Sequence, residues 1–344
     1  MVTDGKSVLV ELVRGGRSPS SITRADEAQI LRACSVEVDQ RQERIRAHLQ
    51  RGAHRSARRT AVDLRGALAA RAKALFCSLP RALRSHPFLS GAEEADLRER
   101  RWACISDGLG RVGDLTSPAR YTLSTRAKSI PGQYRAIYEF GSIDAARQRL
   151  IRSSLDPFVD FHPSQFMLRQ TGQGRGRSAV SKSLLSQLPR LTSDHVFVQM
   201  DVTKFYQSVS HSWLEDNLPL PKDIIRSQVH VGGMAVFPVR DNVAARLGIA
   251  DSGAFEMMVR QGLPTGSALS PLVAEFVMSK VLGELADRHA ASMSGLFVPS
   301  LHAYSDNLGI FVRQTEVDAI VDLVRGAFAS SAAGPFEVTA ARPI

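Results

Sequence analysis

Two aspartates, Asp201 and Asp306, stand where the sequence could build a site for a divalent metal. Asp201 ends the apolar run HVFVQMDV (195–202), and Asp306 lies between two apolar runs in LHAYSDNLGIFV (301–312). Two Mg²⁺ ions roughly 3.5 to 4 Å apart can clamp the attacking and the leaving oxygen of an in-line displacement. Because a single Asp at a strand end is more often a turn former or a helix cap, the pair indicates a site only if one sheet brings both together.

The patterns around the two aspartates predict strands and helices that could form such a sheet. Alternating or continuous apolar runs predict a strand at 134–140, a strand at 195–202, a last strand at 336–341 and a hairpin with YSDN at its tip. Apolar residues recurring at three and four predict helices at about 143–154, 269–290 and 316–329.

Residues 1–115 differ from the rest, because they are rich in Ala, Arg and Leu and lack strand patterns. Helical spacing recurs there and predicts an all-helical N-terminal region. A group of chain breakers marks the predicted end of this region near residue 115, at Gly108, Gly110, Gly113 and Pro118.

Positive charge is concentrated in the N-terminal region. The chain has a net charge of +10, and residues 41–84 alone carry 12 Lys or Arg against two acids. Such a density of one sign favours a polyanionic partner, although it also fits a solvated helix face.

Other classes of protein are disfavoured by the sequence. Cys34, Cys77 and Cys104 stand far apart without a C-x-x-C pair, which argues against a zinc module or a disulfide framework and predicts reduced core thiols. There is no run of 18 apolar residues and no N-terminal signal pattern, so we expect a cytoplasmic protein without a membrane partner.

Three ordered segments resemble the palm blocks of reverse transcriptases. They are MDVTKFYQSVSHSWL (200–214), QGLPTGSALSPLVAEFVMS (261–279) and HAYSDNLGIFV (302–312). Two upstream segments, 132–151 and 162–180, are similar to the fingers of bacterial retron-type enzymes. The tail of the 200–214 block and the AEF of the 261–279 block resemble abortive-infection and defence-associated members more than group II intron proteins. The resemblance covers roughly residues 120–342.

The resemblance implies an α+β fold with right-hand polymerase fingers and palm, in which helices cover one face of an antiparallel palm sheet. The basic helical region 1–115 would precede a fingers and palm region at 116–344. The fingers would take about 120–190 and part of 215–260, and the palm about 191–214 and 261–344. Relatives continue into a helical thumb, whereas 37 residues follow Asn307. We therefore expect a thumb that is absent or reduced, because the chain is a fragment, because a second subunit or homo-oligomer completes it, or because the N-terminal helices do part of its work.

By resemblance, Asp201 and Asp306 are the catalytic carboxylates, and with the carbonyl of Val202 they hold Mg²⁺, with Mn²⁺ as an alternative. Asn307 takes the place of a second aspartate. It keeps the size of Asp but removes a negative charge, so we expect an active enzyme with a weakened or altered metal preference.

Substrate contacts are also implied by the resemblance. Tyr206 would lie against the sugar of the incoming nucleotide and exclude a 2′-hydroxyl, unless Phe205 and Tyr206 are both simply core residues. Arg135, with Arg126 or Lys128, would hold the triphosphate. The alternative is that Arg135 pairs with Glu139. Thr265 and Gly266 would contact the nucleotide, although Thr265 stands where many relatives have Gln.

The expected nucleic-acid contacts are spread along the chain, at Arg58, Arg59, Arg175, Arg177 and Tyr304. The implied activity is RNA-directed DNA synthesis from deoxynucleoside triphosphates. Its partners would be an RNA template, for which a non-coding RNA is one candidate, and a DNA product; its setting would be antiphage defence. Two other hypotheses remain open: a catalytically inactive nucleic-acid-binding or assembly subunit, and an RNA-dependent RNA polymerase, which Tyr206 and the GLP turn followed by Ser-Pro disfavour.

Overall fold

The computed structural model describes residues 5–84, 89–168, 176–237, 242–292 and 301–340. The N-terminal part is helical from residue 5 to residue 112, as the sequence predicts. Its five helices are α1 (Gly5–Val13), α2 (Arg24–Gln50), α3 (His54–Gly66), α4 (Leu68–Phe76) and α5 (Gly91–Val112).

Local sequence accounts for where two of these helices begin. The hydroxyl of Thr23 accepts the Asp26 N–H while the Asp26 carboxylate accepts the Thr23 N–H, and Ser90 and Glu93 repeat this arrangement before α5. Such capping boxes satisfy backbone donors that the first helical turn leaves unpaired.

The helical region ends near the predicted position, but two of the predicted chain breakers, Gly108 and Gly110, lie inside α5 and do not break it. At Gly108 the glycine serves close packing, since a Cβ there would lie 2.8 Å from Cδ2 of Leu75 on α4. The chain leaves the helix only at Gly113. The expectation of core thiols is also partly wrong: Cys34 is buried, but Cys77 is exposed.

Two sheets follow the helical region. The first has three strands in the order β2-β1-β4, and the second has four in the order β5-β6-β3-β7. Their strands are β1 (Arg120–Ala127), β2 (Tyr134–Phe140), β3 (His195–Thr203), β4 (Ala235–Val236), β5 (His302–Tyr304), β6 (Asn307–Arg313) and β7 (Glu337–Ala340).

The remaining helices connect and cover the sheets. They are α6 (Ser142–Leu155), α7 (Arg177–Gln187), α8 (Phe205–Ser208), α9 (His211–Asn217), α10 (Lys222–Gln228), α11 (Val243–Arg246), α12 (Ser252–Val259), α13 (Ser270–Ser292) and α14 (Val317–Ala329). The predicted strands at 134–140, 195–202 and 336–341, the hairpin, and the helices now seen as α6, α13 and α14 are confirmed to within a few residues.

All the pairings within the four-stranded sheet are antiparallel. Along β3 burial alternates, since Val198, Met200 and Val202 are buried while Gln199 and Asp201 are exposed. This period of two means that one face packs on the core and the other remains open, and Asp201 lies on the open face.

The N-terminal helices and the four-stranded sheet contribute to one hydrophobic cluster, in which Ile30 of α2 and Met200 of β3 both take part. Polar contacts join the helical region to α6 and the turn after it. Arg65 donates to the Ser154 hydroxyl at 3.0 Å, and Arg46 pairs with Asp156 at 3.1 Å. The basic region is therefore packed against the rest of the molecule. Within the described ranges, no helix is both long and apolar enough to cross a membrane.

Candidate active site

Strand register brings Asp201 and Asp306 together, 105 residues apart in sequence. Asp201 on β3 lies opposite Asn307 on β6, and the Val202 N–H donates to the Asp306 carbonyl at 2.9 Å. Burial raises the pKa of Asp201 above its ordinary value, and the Asp306 carboxylate raises it further. Lys128 opposes both effects and lies on the hairpin that joins β1 and β2. Two carboxylates and a lysine thus share one electrostatic environment.

The oxygen donors around Asp201 and Asp306 suit a metal ion whose remaining ligands come from water and substrate. Val202, whose N–H donates to the Asp306 carbonyl, adds a backbone carbonyl oxygen to the two carboxylates. Within the described part of the chain, no group of three or more His, Cys, Asp or Glu could hold a metal ion. Mg²⁺ is commonly bound by one or two carboxylates together with waters and substrate phosphates, so Asp201, Asp306 and the Val202 carbonyl fit it.

The side chain of Asn307 contacts the carboxylate of Asp306 directly. Its side-chain Nδ2 donates to Oδ1 of Asp306 at 3.1 Å. An aspartate at 307 could not donate this bond when ionised, because a carboxylate only accepts. The asparagine therefore orients the carboxylate beside it instead of adding a second negative charge.

Strained backbone flanks both aspartates. Lys204, three residues after Asp201, has φ of 51°, and Ser305, directly before Asp306, has φ of 58°. Residues other than glycine seldom adopt this left-handed conformation, and where they do it is often at functional sites. The turns at the ends of β3 and β5 therefore have the backbone character expected around reacting groups.

Phe205 and Tyr206 lie in the single helical turn α8, directly after the end of β3. Phe205 is buried against Phe336, with ring centroids 5.1 Å apart. Tyr206 is half-buried; burial raises the pKa of its phenol, and the charges of Asp306 and Glu275 add to this effect. The Tyr206 side chain is thus electrostatically coupled to Asp306, whereas Phe205 is a core residue.

The segment GLPTGS connects Tyr206 to the three-stranded sheet. The Leu263 N–H donates to the Tyr206 carbonyl at 2.8 Å, and the Tyr138 N–H of β2 donates to the Thr265 carbonyl at 2.8 Å. Gly262 has φ of +65°, and a Cβ there would collide with the Tyr206 carbonyl oxygen. Gly266 also lies close to backbone, because a Cβ there would lie 2.7 Å from the Tyr138 carbonyl oxygen. These glycines permit backbone contacts that no other residue would allow.

Three cations lie at the turn end of the β1–β2 hairpin. Arg126 and Arg135 are directly opposite each other, and Lys128 lies in the connection; all three are exposed. Like charges in this position repel unless an anion lies between them. Within the described residues Arg135 has no ion pair, and Glu139 instead accepts from the Ser124 hydroxyl at 2.6 Å. The alternative pairing of Arg135 with Glu139 is therefore not found.

Glu275 was missed by sequence reasoning. It is 2% exposed on α13, and Nε2 of Gln165 donates to its Oε2 at 3.0 Å. Gln165 is itself buried and forms a bridge with Ala303 on β5, the strand that leads to the aspartate turn. Burial raises the pKa of Glu275 to about 8, so this carboxyl is protonated at neutral pH.

The raised pKa of Glu275 predicts that the stability of the protein depends on pH. Because the folded-state pKa of Glu275 is raised, its contribution is fully present below the ordinary value near 4.5 and is lost as pH rises through about 8. We expect Glu275→Gln to lose less Tm between pH 6 and pH 9 than the wild type does, as measured by calorimetry. Glu256→Gln, at an exposed glutamate on α12, should follow the wild type, and identical curves for all three proteins would contradict the prediction.

The other predicted nucleic-acid residues are more dispersed. Tyr304 lies opposite Asn307 and is half-buried, and Arg177 is exposed at the start of α7. Arg175 lies outside the described residues. Arg58 and Arg59 are exposed on α3, which packs against α2 and α6. The structure therefore brings Asp201, Asp306, Lys128 and Tyr206 together and leaves the N-terminal arginines on a separate helical surface.

Comparison with known proteins identifies the family of the chain. No curated protein matches the chain. The family model described as reverse transcriptase (RNA-dependent DNA polymerase) matches residues 126–332, which is more than half of the chain and includes both aspartates, Tyr206 and the GLPTGS turn. The chain belongs to the reverse transcriptase family, whose activity is RNA-directed DNA polymerisation.

Proposed function

We propose that this reverse transcriptase extends a primer with deoxynucleotides, with Asp201 and Asp306 as its catalytic carboxylates. The observation that carries the proposal is the register of β3 and β6, which sets Asp201 opposite Asn307 and hydrogen-bonds Val202 to Asp306. The raised pKa of Asp201 supports it, because carboxylates that repel each other favour binding of positive charge between them. The family generally uses a divalent metal.

In this proposal Asp201, Asp306 and the Val202 carbonyl hold Mg²⁺, or Mn²⁺ in its place. The bound metal would supply positive charge to the attacking hydroxyl and to the phosphates. The two carboxylates then have the task of binding and orienting, while Asn307 restricts the Asp306 carboxylate through its hydrogen bond. Catalysis by such a site depends on preorganised charge.

The substrate would be held by groups on two sides of the aspartates. Lys128 and Arg135, with Arg126, are exposed cations that suit a triphosphate, and the electrostatic effect of Lys128 on Asp201 supports this role. Tyr206 would contact the sugar and exclude ribonucleotides, while Thr265 and Gly266 would contact the nucleotide from the turn beside β2.

Nucleic acid would contact Tyr304, Arg175 and Arg177 near the site and Arg58 and Arg59 on α3. The exposure of Arg58 and Arg59, without an ion pair in the described residues, supports electrostatic binding of RNA template or DNA product. We also propose that the three-stranded sheet belongs to the fingers and the four-stranded sheet to the palm. Antiphage defence, as in the bacterial relatives that the sequence resembles, is the setting we propose.

One assay tests the proposal against both other hypotheses. Purified protein is incubated with a DNA primer on an RNA template, Mg²⁺ or Mn²⁺, and either dNTPs or rNTPs, and with the template omitted. We expect template-dependent extension with dNTPs. Extension with rNTPs alone would favour an RNA polymerase, and binding of the primer-template without extension under either metal would favour an inactive subunit.

Asn307→Asp tests the role of the asparagine. The substitution adds a negative charge beside Asp306. Two charges about 4 Å apart interact by about 1 kcal/mol in a solvated site, so the added carboxylate should strengthen metal binding by about that amount. We expect the Mg²⁺ concentration for half-maximal extension to fall roughly fivefold, as measured by metal titration. Asn217→Asp, on the exposed end of α9, is the control, and equal metal requirements in Asn307→Asp and wild type would refute the expectation.

A further inference from the structure

The imidazole of His211 lies against the turn that holds Tyr206. His211 is the first residue of α9, and its Nε2 is 3.1 Å from the carbonyl oxygen of Gly262. A carbonyl can only accept a hydrogen bond, so Nε2 carries the proton and is the donor. The Val231 N–H donates to the same oxygen at 3.2 Å. The Gly262 carbonyl is thus held by the side chain of His211 and by the backbone of Val231, which belong to two different segments.

The next residue of the turn connects this anchor to Tyr206. The Leu263 N–H donates to the Tyr206 carbonyl at 2.8 Å, and Gly262 is packed so closely on that carbonyl that a Cβ would not fit. A shift of the Gly262 peptide therefore moves the backbone that carries Tyr206. His211 is the side chain that restrains this peptide from the α9 side.

The orientation of the His211 ring is itself restrained. His230 stacks on it with ring centroids 4.0 Å apart and an interplanar angle of 12°. His230 is buried, and its Nε2 lies 3.4 Å from Oε1 of Glu215, which in turn pairs with Arg226 at 2.6 Å. Backbone at Gly232 also closes on the ring, since a Cβ there would lie 2.8 Å from Nδ1 of His211. The imidazole is built into a fixed position and does not act as a mobile surface group.

We propose that His211 is a positioning residue that sets sugar discrimination, by fixing the Gly262 turn and through it Tyr206. The inference rests on the proposed function of Tyr206 at the sugar. His211 hydrogen-bonds to Gly262 and stacks on His230, and neither of these contacts involves an aspartate. Loss of the His211 imidazole is therefore expected to affect the selection of substrate more than the chemical step. A hydrogen bond from any side-chain donor at the position of Nε2 would serve the same purpose.

Replacing His211 by glutamine or by asparagine tests whether a donor at the position of Nε2 is what matters. Glutamine can place its amide nitrogen near the position of Nε2, whereas asparagine is too short to reach the Gly262 carbonyl. We expect His211→Asn to raise the KM for dNTP and to lower the ratio of dNTP to rNTP efficiency roughly fivefold, with kcat less affected. His211→Gln should stay within about twofold of the wild type, the rescue expected if the hydrogen bond carries the effect.

His195→Ala, which removes a half-buried imidazole at the other end of β3, should leave the ratio unchanged. A ratio unchanged in His211→Asn, or lowered equally in the asparagine and glutamine variants, would overturn the proposal.

A second measurement does not depend on catalysis. Hydrogen–deuterium exchange of the Leu263 amide should be roughly fivefold faster in His211→Asn and unchanged in His211→Gln, because the turn opens more often without its anchor. Equal exchange in all three proteins would overturn the positioning role even if the wild-type protein polymerises. Changed exchange together with a wild-type protein that extends no primer would instead show that the anchor exists and that the proposed function is wrong.

Discussion

Replacing Asp201 or Asp306 by asparagine is expected to lower the rate of deoxynucleotide incorporation by roughly 1,000-fold without unfolding the protein. Asparagine keeps the shape of the side chain and removes only its charge. Burial and the Asp306 carboxylate both raise the pKa of Asp201, so the ionised form is held against repulsion in the folded state. Removing one charge relieves that repulsion, and the Tm of either variant should equal or exceed that of the wild type.

Opposite changes in activity and stability distinguish a catalytic role from a structural one. Primer extension gives the rate, and calorimetry on the same samples gives Tm. Asp194→Asn is the matched control, because Asp194 is exposed just before the other end of β3 and accepts from the Gln314 N–H through its carbonyl. Activity of Asp201→Asn within tenfold of the wild type, or a rate loss that only accompanies a lower Tm, would contradict the proposed assignment.

The two aspartates could be located from the sequence because each lies at the end of an apolar run. Strand β3 shows the reason, since Val198, Met200 and Val202 pack on the core and their alternation leaves Asp201 on the open face. The pairing of β3 with β6 could be expected only from the resemblance, because register depends on contacts that are distant in sequence. Helix α13 and the hairpin were predictable for the same local reasons as β3.

Strand β1 was not predicted, although its signal is present in the sequence. Tyr121 and Leu123 are buried and alternate with Thr122 and Ser124, but arginines at both ends give the segment the character of a loop. Gly108 is the reverse case. Glycine usually marks a turn, but here it lies within a helix and makes room for Leu75. In both places a tertiary contact outweighs local propensity.

The residues that support the site are harder to find than the residues that form it. Glu275 lies in the long helix α13, and only the fold shows that it is buried beside Gln165, 110 residues away. His211 begins a short helix, and its partner Gly262 is 51 residues away. A single sequence contains no pattern for such contacts, because they are defined by the packing of separate segments.

Tyr206→Ala is expected to increase ribonucleotide incorporation relative to deoxynucleotide incorporation by roughly 100-fold. The half-buried ring is held at its backbone by Leu263 and lies close enough to Asp306 for that charge to raise the pKa of its phenol. In the proposed role the planar side chain would leave no space for a 2′-hydroxyl, and alanine would provide that space. Efficiencies for a matched dNTP and rNTP pair, each as kcat/KM, measure the change.

Tyr206→Phe separates the steric role from the role of the hydroxyl. Phenylalanine keeps the ring, so discrimination within about threefold of the wild type is expected if shape excludes the ribonucleotide. If Tyr206 were only a core residue like Phe205, alanine would lower Tm and leave the ratio of the two efficiencies unchanged. Because the same turn is anchored by His211, His211→Asn should change the ratio in the same direction as Tyr206→Ala, and by less. Added to Tyr206→Ala, His211→Asn should change the ratio little further, since the ring that it positions is already absent.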